Sequence, residues 1–266
     1  MTPGRPSHLG RSTLRQAVRR RDGSSTALVP LIWRHAFRLE QMPADVLPMS
    51  AEAMARALRN LPALYGVDAV TVGADGAHLA TSCWMAGQPS ASVEEAWHAA
   101  RSRPLELLPE PQSVKAAPPM ALLVEVTARL RSVLGEQAGI ALVLPDPASL
   151  AASLGAPDAT SWASRVLIEI IRSVGPAEPE LVLFAGPEAR VRPGIAGVCQ
   201  FFGAQALHLA AGGPGTLVLD AAPSAAQPVL PDEPVWLVTT AAEIPDTTEP
   251  ARLGHTLGEL RQTLTG

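Results

Sequence analysis

Short aliphatic runs alternate along this chain with longer segments in which apolar residues recur every three or four positions. The first pattern predicts buried β-strands and the second predicts helices that turn one apolar face to a core. Because the two alternate, the sequence predicts an α/β fold with parallel strands and crossover helices. The predicted strands are Leu28–Ile32, Ala69–Val72, Ile140–Leu144, Leu181–Phe184, Thr216–Leu219 and Val235–Val238.

The helical spacing is clearest over Met120–Glu136, where Leu123, Val126 and Leu130 fall on one face. Ser50 supplies an N-cap for another helix, and Gly66 ends it before the next strand. The predicted helices are Ala51–Tyr65, Val93–Ser102, Met120–Glu136, Pro147–Leu154, Ser161–Val174, Gly194–Ala211 and Pro250–Leu264.

Composition narrows the classes of function. The chain has 266 residues, 47% of them hydrophobic and 17% charged, which is typical of a folded globular protein. A net charge of -4 argues against a nucleic-acid or membrane-binding surface and favours a small-molecule partner. The two cysteines, Cys83 and Cys199, fit reduced thiols in a cytoplasmic protein, and no apolar run reaches transmembrane length.

Basic residues are concentrated at the N-terminus, with six arginines in the first 21 residues and no acid before Asp22. A transit peptide or a nucleic-acid arm is one interpretation. The sequence favours instead an exposed helix over Thr13 to Arg21 that covers one end of the fold, because no long apolar segment or cleavage pattern follows.

Two arginines stand directly after the first predicted strand, in Trp33-Arg34-His35-Ala36-Phe37-Arg38. The hydrogen-bond donors of a guanidinium group fit the geometry of a carboxylate or a phosphate. Arg34 and Arg38 therefore indicate an anionic ligand, and as a pair they suggest a polyacid. A solvated helix face is the alternative.

Polar residues follow other predicted strands in the same way. Asp75, Asp146, Asp220 and Thr239-Thr240 each come at a strand end, and in a barrel these positions share the rim where active sites are built. Asp146 precedes Pro147, which favours a helix N-cap for this carboxylate. The role of Asp220 stays open between a cap and a ligand-binding group.

These motifs resemble the uroporphyrinogen decarboxylases and their barrel relatives, the corrinoid-linked methyltransferases. Residues 33–39 are similar to the family's Met-Arg-Gln-Ala-Gly-Arg-Tyr signature, and residues 66–75 are similar to its strand that ends in Asp. Weaker similarities occur at residues 144–151 and 238–245. The resemblance implies one (β/α)8 TIM-type barrel domain over residues 1–266, reduced or distorted to about seven strands, with residues 1–22 as a basic helical extension.

The chain also departs from the family. Ser153, Gly186 and Ala241 stand where the decarboxylases carry Tyr, Ser and His, and no His-x-Cys motif is present for the zinc of the methyltransferases, whose later Cys position is Ala242. We therefore expect no metal and no organic cofactor.

The resemblance implies a metal-independent lyase that decarboxylates a carboxylated small molecule. Arg34 and Arg38, with Asp220, would bind the substrate, Asp75 would stabilise a developing cation, and His78 or His35 would transfer the proton. A structural ion pair for Asp75 and packing roles for both histidines are the alternatives. His208 and His255 fall in predicted helices and are expected to be structural or surface residues.

Two other functions stay open. One is a corrinoid-linked methyltransferase-like protein without the usual zinc site, and the other is a non-catalytic anion-binding homologue. The resemblance also leaves a homodimer open.

Overall fold

In the part of the chain that the structure describes, seven parallel strands form the centre and helices surround them. The computed structural model describes residues 10–41, 50–210, 215–219, 234–242, 244–245 and 247–265. The strands are β1 (Ala27–Val29), β2 (Ala69–Gly73), β3 (Gly139–Pro145), β4 (Leu181–Ala185), β5 (Gln205–His208), β6 (Thr216–Leu219) and β7 (Leu237–Thr240).

The helices lie mostly in the connections between consecutive strands. Two short 3-10 turns, at Pro157–Ala159 and Gly175–Ala177, flank the tenth of them. The helices are α1 (Gly10–Arg20), α2 (Trp33–Leu39), α3 (Ala51–Arg59), α4 (Leu61–Tyr65), α5 (Gly76–Gly87), α6 (Val93–Ser102), α7 (Pro111–Val114), α8 (Pro118–Leu134), α9 (Pro147–Ser153), α10 (Thr160–Val174), α11 (Pro193–Phe201) and α12 (Pro250–Thr265).

The strands follow the cyclic order of a barrel but do not close one within the described residues. One sheet has the order β2-β3-β4-β5 and the other β1-β7-β6, and every pair is parallel. β1 lies beside β2, where the Leu28 amide donates to Asp68 Oδ2 (2.7 Å) and the Thr71 hydroxyl donates to the Pro30 carbonyl (3.2 Å). The order β6-β7-β1-β2-β3-β4-β5 confirms an α/β barrel-like architecture with about seven strands.

The core lies between the strands and the surrounding helices. β3 is buried along its whole length, α8 packs against β2 and β3, and the apolar face of α10 is buried in the same core. Within the described part of the chain, no helix is long and apolar enough to cross a membrane.

All six predicted strands are present, but the predicted helix Gly194–Ala211 is wrong in its second half. The helix α11 ends at Phe201, Gly203 adopts a left-handed φ of 75°, and β5 follows. Glycine takes that conformation without steric cost and so allows the chain to leave the helix. His208 therefore lies at the end of a strand, not in a helix.

Two further differences have simple causes. The predicted helix Ala51–Tyr65 divides into α3 and α4 because Pro62, in the first turn of α4, has no amide hydrogen to continue the ladder. The helix α5 has no predicted counterpart. Its residues 79–84 are all buried, so it lacks the polar face that gives a helix its recognisable period.

The N-terminal helix α1 covers the ends of the strands opposite the rim, in the place that the sequence predicts, but one face of it is buried and not exposed. Leu14 and Ala17 are buried, and the Gly10 amide donates to the Gln137 carbonyl (3.0 Å). Arg11 is also buried, with 7% of its surface exposed.

Arg11 lies among carboxylates. Its Nε donates to Glu180 Oε1 (2.6 Å), while its Nη1 and Nη2 donate to Glu136 (2.9 Å) and Glu178 (3.0 Å). Arg131 donates to the other oxygen of Glu180 (2.7 Å). Part of the basic N-terminus is thus an internal ion-pair network that fastens α1 to the barrel.

Replacing Arg11 by Gln is expected to lower the free energy of unfolding by about 2 to 3 kcal/mol, because it leaves the buried Glu180 with less compensating charge. The exposed Arg19 on the same helix provides the control, and Arg19→Gln should cost less than about 0.5 kcal/mol. Urea denaturation of both variants measures the difference. Equal losses would show that the network does not hold α1.

Candidate functional site

The carboxyl ends of the parallel strands meet at one rim, where two helices begin directly after their strands. The helix α2 starts at Trp33, shortly after β1, and α5 starts at Gly76 with Asp75 as its N-cap after β2. Because β1 and β2 are neighbours, Arg34 in the first turn of α2 comes next to Asp75.

Asp75 connects three groups through its two carboxylate oxygens. Oδ1 accepts from the His78 backbone amide (3.0 Å), which is the capping bond, and lies 2.6 Å from His78 Nδ1. Oδ2 accepts from Arg34 Nη2 (2.9 Å). An ionised carboxylate can only accept a hydrogen bond, so His78 Nδ1 carries a proton. In the neutral ring, Nε2 is then the nitrogen that can accept a proton.

The surroundings keep Asp75 ionised. Burial by itself would raise the pKa of this carboxyl, but the hydrogen bonds from His78, with the charges of His78 and Arg34, outweigh it and lower the pKa to about 2. Asp75 is therefore a permanent anion at working pH that orients His78 and does not itself donate a proton.

A pocket opens beside these groups. It encloses only about 30 Å³, and about 450 Å³ when the space open to solvent is included. The ring of Trp33 covers Gly73, where a Cβ atom would come within 2.6 Å of it, and the ring of His78 lies 5.4 Å from that of Trp97. The lining residues are mainly apolar: Trp33, Arg34, Phe37, Met54, Gly73, Ala74, His78, Pro119, Met120, Leu122 and Leu123.

The structure does not bring every predicted site residue to this pocket. Arg38 is exposed, does not line the pocket and donates to the Thr248 carbonyl (3.2 Å). His35 is fully buried, with its Nε2 2.7 Å from the Tyr65 hydroxyl, so it lies in the core and cannot contact a ligand at the rim. Asp220 lies outside the described residues.

A second cluster at the rim surrounds Asp146. Its Oδ1 accepts from the Ser149 amide (2.7 Å), which confirms the predicted N-cap of α9. Its Oδ2 accepts from the Glu188 amide (2.7 Å) and from His208 Nε2 (3.1 Å). These contacts join the ends of β3, β4 and β5.

Asp146 and His208 are both buried, in contrast to Asp75. Burial alone would raise the pKa of Asp146, but its hydrogen bonds to Ser149, Glu188 and His208 lower it. The sequence predicts a structural or surface role for His208, and its buried contact with Asp146 is structural. Its predicted helical position is wrong, because the chain leaves the helix at Gly203, after the end of α11.

Metal ligands are not assembled in the described residues, where no group of three or more His, Cys, Asp or Glu side chains could hold an ion. Cys83 and Cys199 are buried free thiols, and burial raises the pKa of both, that of Cys199 to about 12. Thiolates, the zinc ligands of the resembled methyltransferases, are disfavoured at such positions. The described residues therefore do not fit the zinc site of that family.

Comparisons with known proteins identify the fold. No family model and no curated protein matches the sequence. The structure is similar to that of a methyltransferase from Methanosarcina mazei, with a TM-score of 0.68 over 96% of this chain and 98% of that chain. The two chains share a fold. Their sequence identity is 12%, so the likeness carries no residue assignments.

Gly186 is expected to tolerate no side chain. Its φ is 153°, and a Cβ atom there would overlap the Asp146 carboxylate and the Ser149 hydroxyl. Gly186→Ala should lower the free energy of unfolding by at least about 2 kcal/mol. Gly197→Ala, in open space within α11, should instead stabilise by about 0.5 to 1 kcal/mol. Thermal denaturation compares the two, and a neutral Gly186→Ala would contradict the packing around Asp146.

The lowered pKa of Asp75 gives stability a defined pH dependence. Asn retains the capping oxygen but not the charge, so Asp75→Asn should be less stable than wild type at pH 6. The ionised carboxylate stabilises the fold above its ordinary pKa of 3.8, and this contribution is lost as pH falls toward about 2. Chemical denaturation should therefore show that the difference in free energy of unfolding between wild type and Asp75→Asn becomes smaller from pH 6 to about pH 2.5. Asp158→Asn, at an exposed position, is the control. A difference in free energy of unfolding between wild type and Asp75→Asn that does not change with pH would contradict the lowered pKa of Asp75.

Proposed function

We propose that the protein is a methyltransferase-like enzyme in which His78, oriented by Asp75, carries the proton. The observation that supports this most directly is the Asp75–His78 pair, at 2.6 Å, on the rim of a fold similar to that of a methyltransferase. The pair directs Nδ1 to the carboxylate, which leaves Nε2 for a group in the pocket that His78 lines.

The proton requirement of methyl transfer matches this arrangement. When a methyl group moves to an acceptor X–H, a carbon–X bond forms, the bond between the methyl carbon and its carrier breaks, and the acceptor loses its proton. His78 Nε2 would take that proton while Asp75 stabilises the resulting imidazolium. Arg34, held by Asp75, would orient an anionic group of the substrate.

The family resemblance suggests a corrinoid as the methyl carrier, which would supply the methyl group when bound. Thiol activation by zinc does not belong to the proposal, because the described residues offer no suitable ligand set. The acceptor is instead deprotonated by His78.

Decarboxylation of a polycarboxylate is less well supported. Arg34 lines the pocket, whereas Arg38 bonds the Thr248 carbonyl at the surface. The Ser153 hydroxyl donates to the Leu150 carbonyl (2.8 Å) within its own helix, and Gly186 packs against Asp146. Neither position supplies the group that the family decarboxylases use there.

Transfer from methylcobalamin to a small thiol tests the proposal, followed by the change in visible absorbance as the cobalt–carbon bond breaks. His78→Gln should reduce the rate at least about 100-fold, since it removes the proton acceptor. His255→Gln, at a 75% exposed side chain on α12, should leave it unchanged.

Two results would contradict the proposal. One is equal loss of activity in both variants, and the other is the absence of any transfer by wild-type protein. Release of CO2 from uroporphyrinogen in a parallel assay would restore the decarboxylase interpretation.

A further inference from the structure

We infer that Trp97 is a positioning residue for His78, because its indole packs against the imidazole and restricts that ring to one orientation. The inference deepens the proposed function and rests on it for the rate of the reaction, but not for the orientation of the ring. Three observations carry it: the contact between the two rings, the surroundings of Trp97, and the place of Trp97 outside the pocket.

The imidazole of His78 needs more than its bond to Asp75 to stay in one orientation. Its Nδ1 lies 2.6 Å from Asp75 Oδ1, but the χ2 torsion of histidine has broad minima, so one hydrogen bond leaves the ring room to rotate. The ring of Trp97 lies against it, with 5.4 Å between the centroids and 56° between the planes. Aromatic rings attract one another at this separation, so Trp97 limits the rotation that Asp75 leaves.

Trp97 serves this contact more than the core of its own helix. Within α6, which is described in full, Ala96 is the one buried residue, and Trp97 is only partly buried. Arg101, one turn further along α6, places its guanidinium carbon 5.3 Å from the centroid of the same indole. A cation at that distance from a Trp ring is attracted to it. The indole is therefore held by Arg101 on its own helix and contacts His78 on α5.

Trp97 does not belong to the wall of the pocket. His78 lines the pocket, whereas no residue of α6 does. A change at Trp97 should therefore alter the orientation of the proton acceptor without altering the walls that a substrate would contact. Such a change lowers kcat and leaves KM as it is, whereas loss of a wall residue would raise KM.

Two substitutions at Trp97 separate the aromatic ring from apolar bulk. Leucine keeps an apolar side chain and favours a helix but has no ring, whereas phenylalanine keeps a ring. In the methyl-transfer assay, Trp97→Leu should lower kcat about tenfold with KM unchanged, and Trp97→Phe should recover most of this loss. His98→Leu is the matched control. It changes the next residue of α6, which is exposed, and should leave both constants unchanged.

Nuclear magnetic resonance of the histidine rings tests the orientation without the reaction. At about pH 8, where a free imidazole is neutral, two-bond proton–nitrogen correlation spectra distinguish the two tautomers. The signals of His78 are those that disappear in His78→Gln. In wild type they should show the Nδ1–H tautomer alone, with nuclear Overhauser contacts to the Trp97 ring. In Trp97→Leu they should move toward a mixture of tautomers, because a ring that rotates away from Asp75 is no longer fixed in one of them, and in His98→Leu they should not move.

The outcomes separate this inference from the proposed function. A single tautomer in wild type that becomes mixed in Trp97→Leu, without methyl transfer by any of the proteins, would overturn the proposed reaction alone. Unchanged His78 signals in Trp97→Leu, equal losses of kcat in Trp97→Leu and His98→Leu, or a raised KM in place of a lowered kcat would overturn the role of Trp97. Where Trp97→Leu does not fold, the wild-type spectrum decides, since mixed tautomers or no contact between the two rings would contradict the inference.

Discussion

The rim of this protein depends on carboxylates that cap helices where parallel strands end. A helix N-terminus presents unpaired amide hydrogens and a positive dipole, so an ionised Asp at the N-cap is stabilised there. Asp75, between β2 and α5, and Asp146, between β3 and α9, occupy this position after neighbouring strands. Each also bonds a histidine, so the capping interaction fixes the place of two imidazole rings as well as two helices.

The two capping carboxylates have different roles because they differ in exposure. Asp146 is buried directly after β3, and its oxygens accept from Ser149 in α9, from Glu188 after β4 and from His208 at the end of β5. Its contacts are internal, and it acts as a structural junction. The Asp75 side chain is 38% exposed and bonds Arg34 and His78, both of which line a pocket. An N-cap carboxylate therefore makes a structural junction after β3 and part of a candidate site after β2.

The sequence predicted much of this from strand periodicity, since all six predicted strands exist and the Arg34–Asp75 contact follows from the neighbouring positions of β1 and β2. It failed where one residue decides the outcome. A helix turns about 100° per residue, so His35, next to Arg34, faces the core while Arg34 faces the rim. At Gly203 an apolar stretch that reads as one long helix divides into the helix α11 and the strand β5. Hydrophobic periodicity alone does not distinguish these two possibilities.

The position of Arg38 bears on the kind of chemistry that the site supports. Two convergent guanidiniums would hold a polyacid and compensate the charge that a departing carboxylate leaves behind. The structure instead places one guanidinium at the pocket, already bound to Asp75, beside the His78 ring and apolar walls. Apolar surroundings destabilise a multiply charged substrate but accommodate a methyl group, whose transfer requires one proton acceptor and no clamp for several carboxylates. The position of Arg38 outside the pocket, more than any missing family residue, is the reason why we propose methyl transfer over decarboxylation.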